Sequence, residues 1–159
     1  MQEEKKGIEV SLAAGKRTAK ALTFTYRIRN GGDAPLHLYQ GQRMPYTRVD
    51  DAHSIRLAMS LNPQPEGLDF LMVEIPLTRT LAPGQTESGR IEVKLPIQQS
   101  DHFFQPHPPA TPPAGKVAFR LEVGLSDRPV TAKDRPGIGY SQLLAGQRLV
   151  VSEPVFVDL

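Results

Sequence analysis

Leu22, Phe24, Tyr26 and Ile28 alternate with Thr23, Thr25, Arg27 and Arg29 over eight positions, and the pattern then stops at Asn30-Gly31-Gly32-Asp33-Ala34-Pro35. Successive side chains of a strand point to opposite faces, so this spacing buries one face and wets the other, while a helix would spread the same residues around its circumference. Gly and Asn in the following run tolerate positive φ and Pro35 offers no N–H to a ladder, so a turn must follow. The same grammar recurs along the chain. Ile8, Val10 and Leu12 alternate with Glu9 and Ser11, and Ala13 to Lys20 leaves room for a hairpin around Gly15 that pairs the first two strands. Leu36 to Tyr39, Ile55 to Met59 and Phe70 to Leu77 read as short strands between breakers. Leu81-Ala82-Pro83-Gly84-Gln85 is a Pro-Gly turn before Ile91, Val93 and Leu95, and Val117 to Leu125 gives the longest strict alternation. The last candidate runs from Arg148 to Asp158, where Pro154 predicts an edge position or a bulge.

Helical spacing is poor throughout, with Ser141 to Ala145 sufficient for one short turn. Short strands with turn signals between them, and no helices alternating with them, predict an all-β fold: an antiparallel β-sandwich of about seven to nine strands with one long Pro-rich crossover. Residues 1 to 159 are expected to form a single domain, a length that buries an ordinary core without cross-links. None is available, because the chain has no Cys. The expected core contains Leu22, Phe24, Tyr26, Ile28, Leu57, Met59, Ile91, Val93, Phe119, Leu121, Val123 and Val151.

The series Leu22-x-Phe24-x-Tyr26-x-Ile28-x-Asn30, the acidic turn, Pro35-Leu36-x-Leu38 and the later Leu81-x-Pro83-Gly84 resembles immunoglobulin-like modules of bacteria, including the intracellular proteinase inhibitor family. The resemblance covers roughly residues 1 to 95 and lies in strand and turn positions, so it implies an immunoglobulin-like sandwich. The segment from Gln40 to Asn62 and everything after Pro96 depart from the inhibitors' compact pattern. Protease inhibition through a projecting loop is one form that binding by such a module would take.

Charge excludes little by itself. Nineteen Lys and Arg face seventeen Asp and Glu, a formal net charge of +2. The excess is local: residues 1 to 29 hold seven basic and three acidic side chains. Lys16, Arg17, Lys20, Arg27 and Arg29 read as a solvated face, since Phe24 and Tyr26 fall on the opposite side of the strand and leave no stacking platform, so no nucleic acid is expected. The longest apolar run, Phe70 to Val73, is far too short to span a membrane. No apolar segment follows the first residues, so the default expectation is a cytoplasmic protein, or a bacterial envelope protein if a leader has been removed.

Chemistry is equally sparse. There is no G-x-S-x-G or S-x-x-K, and the loop Pro136-Gly137-Ile138-Gly139-Tyr140-Ser141-Gln142 lacks both the third Gly and the preceding strand of a dinucleotide fingerprint. The adjacent carboxylates Asp50 and Asp51 would point apart on a strand. No catalytic residues, no cofactor and no metal site are expected. The leading expectation is a non-enzymatic binding or assembly module that captures a protein or peptide through an edge strand and sandwich-end loops. The loop from Gln40 to His53 supplies Arg43, Tyr46 and Arg48 as partner-binding residues, being rich in types enriched at interfaces. The five Pro between Gln105 and Gly115 suit a stiff, extended segment. The alternative is a small-ligand or metal site, catalytic if suitably completed, where Asp51 and His53 meet His102 and His107. The residues specify no oligomeric state.

Overall fold

The computed structural model describes residues 7–63, 76–101, 106–134 and 139–159. Among them the chain is mostly β. Strands β1 (Glu9–Arg17), β2 (Ala21–Arg29) and β7 (Thr86–Lys94) form a three-stranded antiparallel sheet in the order β1-β2-β7. A seven-stranded sheet holds β3 (Leu36–Gln40), β4 (Tyr46–Asp51), β5 (Ser54–Met59), β6 (Leu77–Leu81), β8 (Lys116–Ser126), β9 (Arg148–Val151) and β10 (Val155–Asp158). Its path runs β4-β5-β8-β3-β6, with β9 and β10 also on β8. One helix, α1 (Tyr140–Ala145), completes the described elements, and none of their helices is long and apolar enough to cross a membrane.

The two sheets share one apolar core. Leu22, Phe24, Ile28, Ile91 and Val93 come from the smaller sheet, and Leu38, Ile55, Leu57, Phe119, Leu121 and Val123 from the larger. Phe24 and Phe119 meet across the interface with ring centroids 4.9 Å apart and planes tilted by 41°, a geometry that aromatic pairs favour over a flat sandwich. The alternation of β2 therefore does what its spacing predicts. Two expected core residues differ. Tyr26 is half-buried and packs against the core's margin, while Val151 is exposed. Leu149, Val150 and Val151 are all apolar, so β9 carries no phase that marks its inner face, and pairing with β8 turns Val150 inward.

Three other expectations are corrected. The first hairpin closes later than Gly15: β1 continues to Arg17 through a register shift, and the Thr18 hydroxyl accepts the Lys20 and Ala21 N–H groups to form the turn. The segment from Gln40 to His53 contains a strand, β4, paired with β5 through a tight turn at Asp51. The larger sheet is also not purely antiparallel, because β5 and β8 run parallel from Ser54↔Ala118 to Met59↔Val123. Parallel neighbours need a long crossover, and here the described part of it includes β6 and β7. The strand expected from Phe70 to Leu77 lies outside the described residues up to Ile75, and β6 begins at its end.

Gly89 shows how closely the smaller sheet is fitted. It faces Tyr26 directly, and a Cβ there would lie 2.6 Å from the ring. The absent side chain lets the ring lie across β7 so that its hydroxyl donates to Glu87 at 3.2 Å, the carboxylate that also receives Arg79 Nε and Nη2. Gly89→Ala is expected to push the ring off this network and cost about 2 kcal/mol, the usual scale of overpacking. Urea unfolding checks it, and adding Tyr26→Leu should recover part of the loss.

Candidate functional site

Strand β8 organises the surface of interest. Phe119 pairs with Ile55 of β5 and Val155 of β10, and Glu122 pairs with Ala58 of β5 and Val151 of β9. A strand residue has one neighbour on each side, so β9 and β10 lie end to end along the side of β8 opposite β5. No described strand pairs with their far side. Pro154 falls in the break between them, as its missing N–H requires. Ser152 bridges the break: its N–H donates to Leu121 O at 2.9 Å, and its hydroxyl accepts the Leu121 N–H at 2.9 Å.

This edge is apolar. Leu149, Val151 and Phe156 are the exposed large hydrophobic residues of the described chain, at 47%, 38% and 56% exposure. They oppose Gly124, Glu122 and Ala118, residues two or four apart on β8, so all three stand on the outward face of the sheet. The stripe follows β8 over six residues, about 20 Å at 3.4 Å per residue. The bond from Ser152 to Leu121 turns that residue's backbone toward β8, and antiparallel alternation then turns the N–H and C=O groups of Leu149 and Val151 away from it. The Lys116 ammonium sits 4.9 Å from the Phe156 ring centroid.

Beside the stripe runs a row of arginines. Arg48, Arg56 and Arg120 are in register across β4, β5 and β8 on the outward face. Glu122 lies one step along β8, fully buried, and accepts from Arg48 Nη2 at 3.0 Å, Arg56 Nη1 at 2.8 Å and Ser60 Oγ at 2.6 Å. Burial pushes its carboxyl up, yet the hydrogen bonds from Ser60 and Arg56 and the charges of Arg48 and Arg56 outweigh burial and hold it below the ordinary carboxylate range. Asp50 adds a second anion, 3.2 Å from Arg56 and 3.8 Å from Arg48. Two carboxylates thus serve Arg48 and Arg56, while Arg120 has no ion pair among the described residues.

A polar cleft opens at the other side of the sheet, along β4. Its volume is about 350 Å³, and Thr47, Arg48, Asn62, Gln99, Ser100 and His107 are among its walls. The segment from Gln99 to Asp101 closes the free side of β4: Ser100 N–H donates to Thr47 O, Thr47 N–H to Ser100 Oγ and Val49 N–H to Gln99 Oε1. Gln99 in turn bridges to His107. Opposite, Gln147 crosses over Gly124, where a Cβ would lie 2.2 Å from its Oε1, and clamps Leu61 by accepting its N–H at 2.7 Å and donating to its C=O at 3.2 Å. The Tyr140 hydroxyl donates to Asn62 O at 2.6 Å. Together these fix the Ser60 to Asn62 turn over Glu122.

The residues singled out in the sequence are divided among these features. Arg48 is spent on Glu122 and Asp50 and lines the cleft with His107. Tyr46 is buried at 5% exposure, so its side chain is not on the surface. Arg43 donates from Nη2 to Asp101 O at 2.9 Å. All three belong to the β4 side, separated from the β9 and β10 edge by β5 and β8. Asp51 and His53 form the β4–β5 turn, with His53 N–H donating to Asp51 Oδ1 at 2.8 Å, and His102 lies outside the described residues. No group of three His, Asp or Glu among the described residues is placed to hold a metal ion. Sequence reasoning missed Leu149, Asn62 and Glu122. Glu122 sits in the polar phase of β8, where it looks like an ordinary solvent-facing residue.

The structure therefore defines a mostly β protein of two sheets on one core, with an exposed apolar edge and a buried charge cluster beneath its outward face. No family model, curated protein or solved structure matches the chain.

Proposed function

We propose that this protein is a non-enzymatic binding module that captures a protein partner by adding one of its strands to the β9 and β10 edge. The observation that carries this reading is the coincidence of three exposed apolar side chains with an edge whose far side no other described strand pairs. Scattered apolar residues on a surface mean nothing, but a contiguous stripe marks an interaction site. Main-chain pairing supplies affinity and alternate side chains supply selectivity in such complexes. The partner strand places apolar residues against Leu149, Val151 and Phe156, and an acidic residue against Arg120. An immunoglobulin-like sandwich, the fold that the turn pattern resembles, suits this role because its edges remain open to a further strand.

The test compares the tagged protein with Leu149→Lys/Val151→Lys, whose replaced side chains are exposed and whose fold should persist. A partner recovered from lysate of the source cells at near-equal amount is expected to be lost with the double variant and retained with Arg43→Ala. Equal recovery with the double variant would remove the edge from the interface.

A further inference from the structure

The Pro-rich segment singled out in the sequence lines a groove that the edge of β9 and β10 does not use. Pro108, Pro109, Pro112 and Pro113 enclose a volume of about 400 Å³ together with the run from Leu95 to Gln98 that follows β7, and Leu159 and Arg17 complete the described wall. The segment is stapled at both ends. Before it, Gln99 and His107 exchange main-chain hydrogen bonds of 2.7 and 3.0 Å; after it, Ala114 N–H donates to Ala52 O at 3.1 Å and Leu159 N–H to Gly115 O at 2.8 Å. Five prolines in the wall fix their own φ angles, so the shape is set ahead of any ligand and filling it orders little chain.

The wall is chemically one-sided. Proline has no N–H, the Leu95 N–H is taken by Lys20 O and the Leu159 N–H by Gly115 O, so the main chain offers few donors. Leu95, Ile97, Leu159 and the prolines make the surface apolar, and no aromatic ring is among its described residues. Arg17 is the one charged side chain there and Gln98 the one other polar side chain. Both are exposed, and neither side chain has a hydrogen bond or ion pair among the described residues. A lone guanidinium beside an apolar groove selects a single negative charge, and a carboxylate matches its parallel N–H groups. A sugar or a polyanion would set hydroxyls or further charge against prolines that can meet neither. The volume lies at the low end for small-molecule sites. We infer that the groove binds a medium-chain alkyl carboxylate, its hydrocarbon against the prolines and its carboxylate on Arg17. The site shares no residue with the stripe of Leu149, Val151 and Phe156 and stands whether or not that edge takes a strand.

The experiment follows the backbone signals of Ile97 and Gln98 in the ¹⁵N-labelled protein by NMR. Octanoate, octan-1-ol, octylammonium and acetate are added in turn below micelle-forming concentrations. Octanoate is expected to shift both signals saturably, with octanol and octylammonium several-fold weaker and acetate inert. Arg17→Glu, an exposed substitution at the end of β1, should reverse the order so that octylammonium binds more tightly than octanoate. Arg90→Glu makes the same change of charge away from the groove and should leave octanoate binding as it is. Octanol as strong as octanoate, unchanged octanoate binding in the folded Arg17→Glu variant, or an equal loss with Arg90→Glu would show that the guanidinium selects nothing and would overturn the proposal. Acetate as strong as octanoate would overturn it too, since acetate needs no groove. So would the absence of any shift, or shifts confined to Leu149 and Val151, which would place the hydrocarbon on the β9 edge.

Discussion

Asn30→Ala is expected to lower the unfolding free energy by about 3 kcal/mol, because it removes the one side chain that joins two turns distant in sequence. The Asn30 carboxamide donates to Ala34 O at 2.8 Å and to Leu81 O at 2.9 Å, and accepts Gly32 N–H at 3.0 Å. Its main chain donates to Gln85 O and accepts from Gly84 N–H. The residue is fully buried, so alanine leaves two carbonyls and one N–H short of partners. Each such group costs about 1–3 kcal/mol, and relaxation of the exposed turn toward water returns part of the sum. At about 2–4 °C per kcal/mol for a chain of this size, the melting temperature should fall by about 10 °C. Asn30→Asp should do no better, since it turns a carboxylate oxygen toward two carbonyls. A fall under about 2 °C for the alanine variant would show that the turns hold without this link.

Glu122→Leu is the second large effect, at about 3 kcal/mol. Removing one member of a buried ion pair costs about 3–5 kcal/mol because the other charge is left uncompensated. The lower end applies here: Arg48 and Arg56 keep about a third of their side chains in water, and Asp50 still serves both. The loss should also depend on pH. Folding holds the Glu122 carboxyl below its ordinary value, so its stabilisation is complete above the unfolded-state pKa and is lost as pH falls through the folded-state value. The wild type is therefore expected to lose stability as pH falls below about 5, and the leucine variant to lose less over the same range. Some dependence should remain in the variant, because hydrogen bonding from Arg79 holds Glu87 down in the same direction against its partial burial. Urea midpoints measured across this range test both statements. Equal slopes for the two proteins would mean that Glu122 titrates alike in the folded and unfolded chains.

Both predictions concern groups whose importance was unequally visible in the sequence. Asn30 closes a strand and opens a turn, so its place in the chain was legible, and the Leu81 to Gly84 turn was legible too. That the first holds the second was not, because the contact joins residues 51 positions apart. Glu122 follows the polar phase of a strict alternation, and periodicity assigns that phase to solvent. The Ser60 to Asn62 turn, held by Gln147 and Tyr140, lies over it and reverses the assignment. Tyr46 was misplaced for the same reason: its row, with Ala58 and Glu122, is buried on a face that periodicity alone would leave wet.

Strands β2, β7 and β8, the breaks between them, the short helical turn near Ser141 and the interruption of the last strand at Pro154 were legible in the residues alone. These are consequences of local chemistry, since side-chain alternation, the φ of Gly and the missing N–H of Pro act within a few residues. Tertiary contacts were needed to set β5 and β8 parallel, to lay Gln99 and Ser100 along β4 while no described strand pairs with the far side of β9 and β10, and to face Val151 outward. Those outcomes depend on which segments meet across long stretches of chain, and a uniformly apolar strand such as β9 carries no phase of its own to fix them.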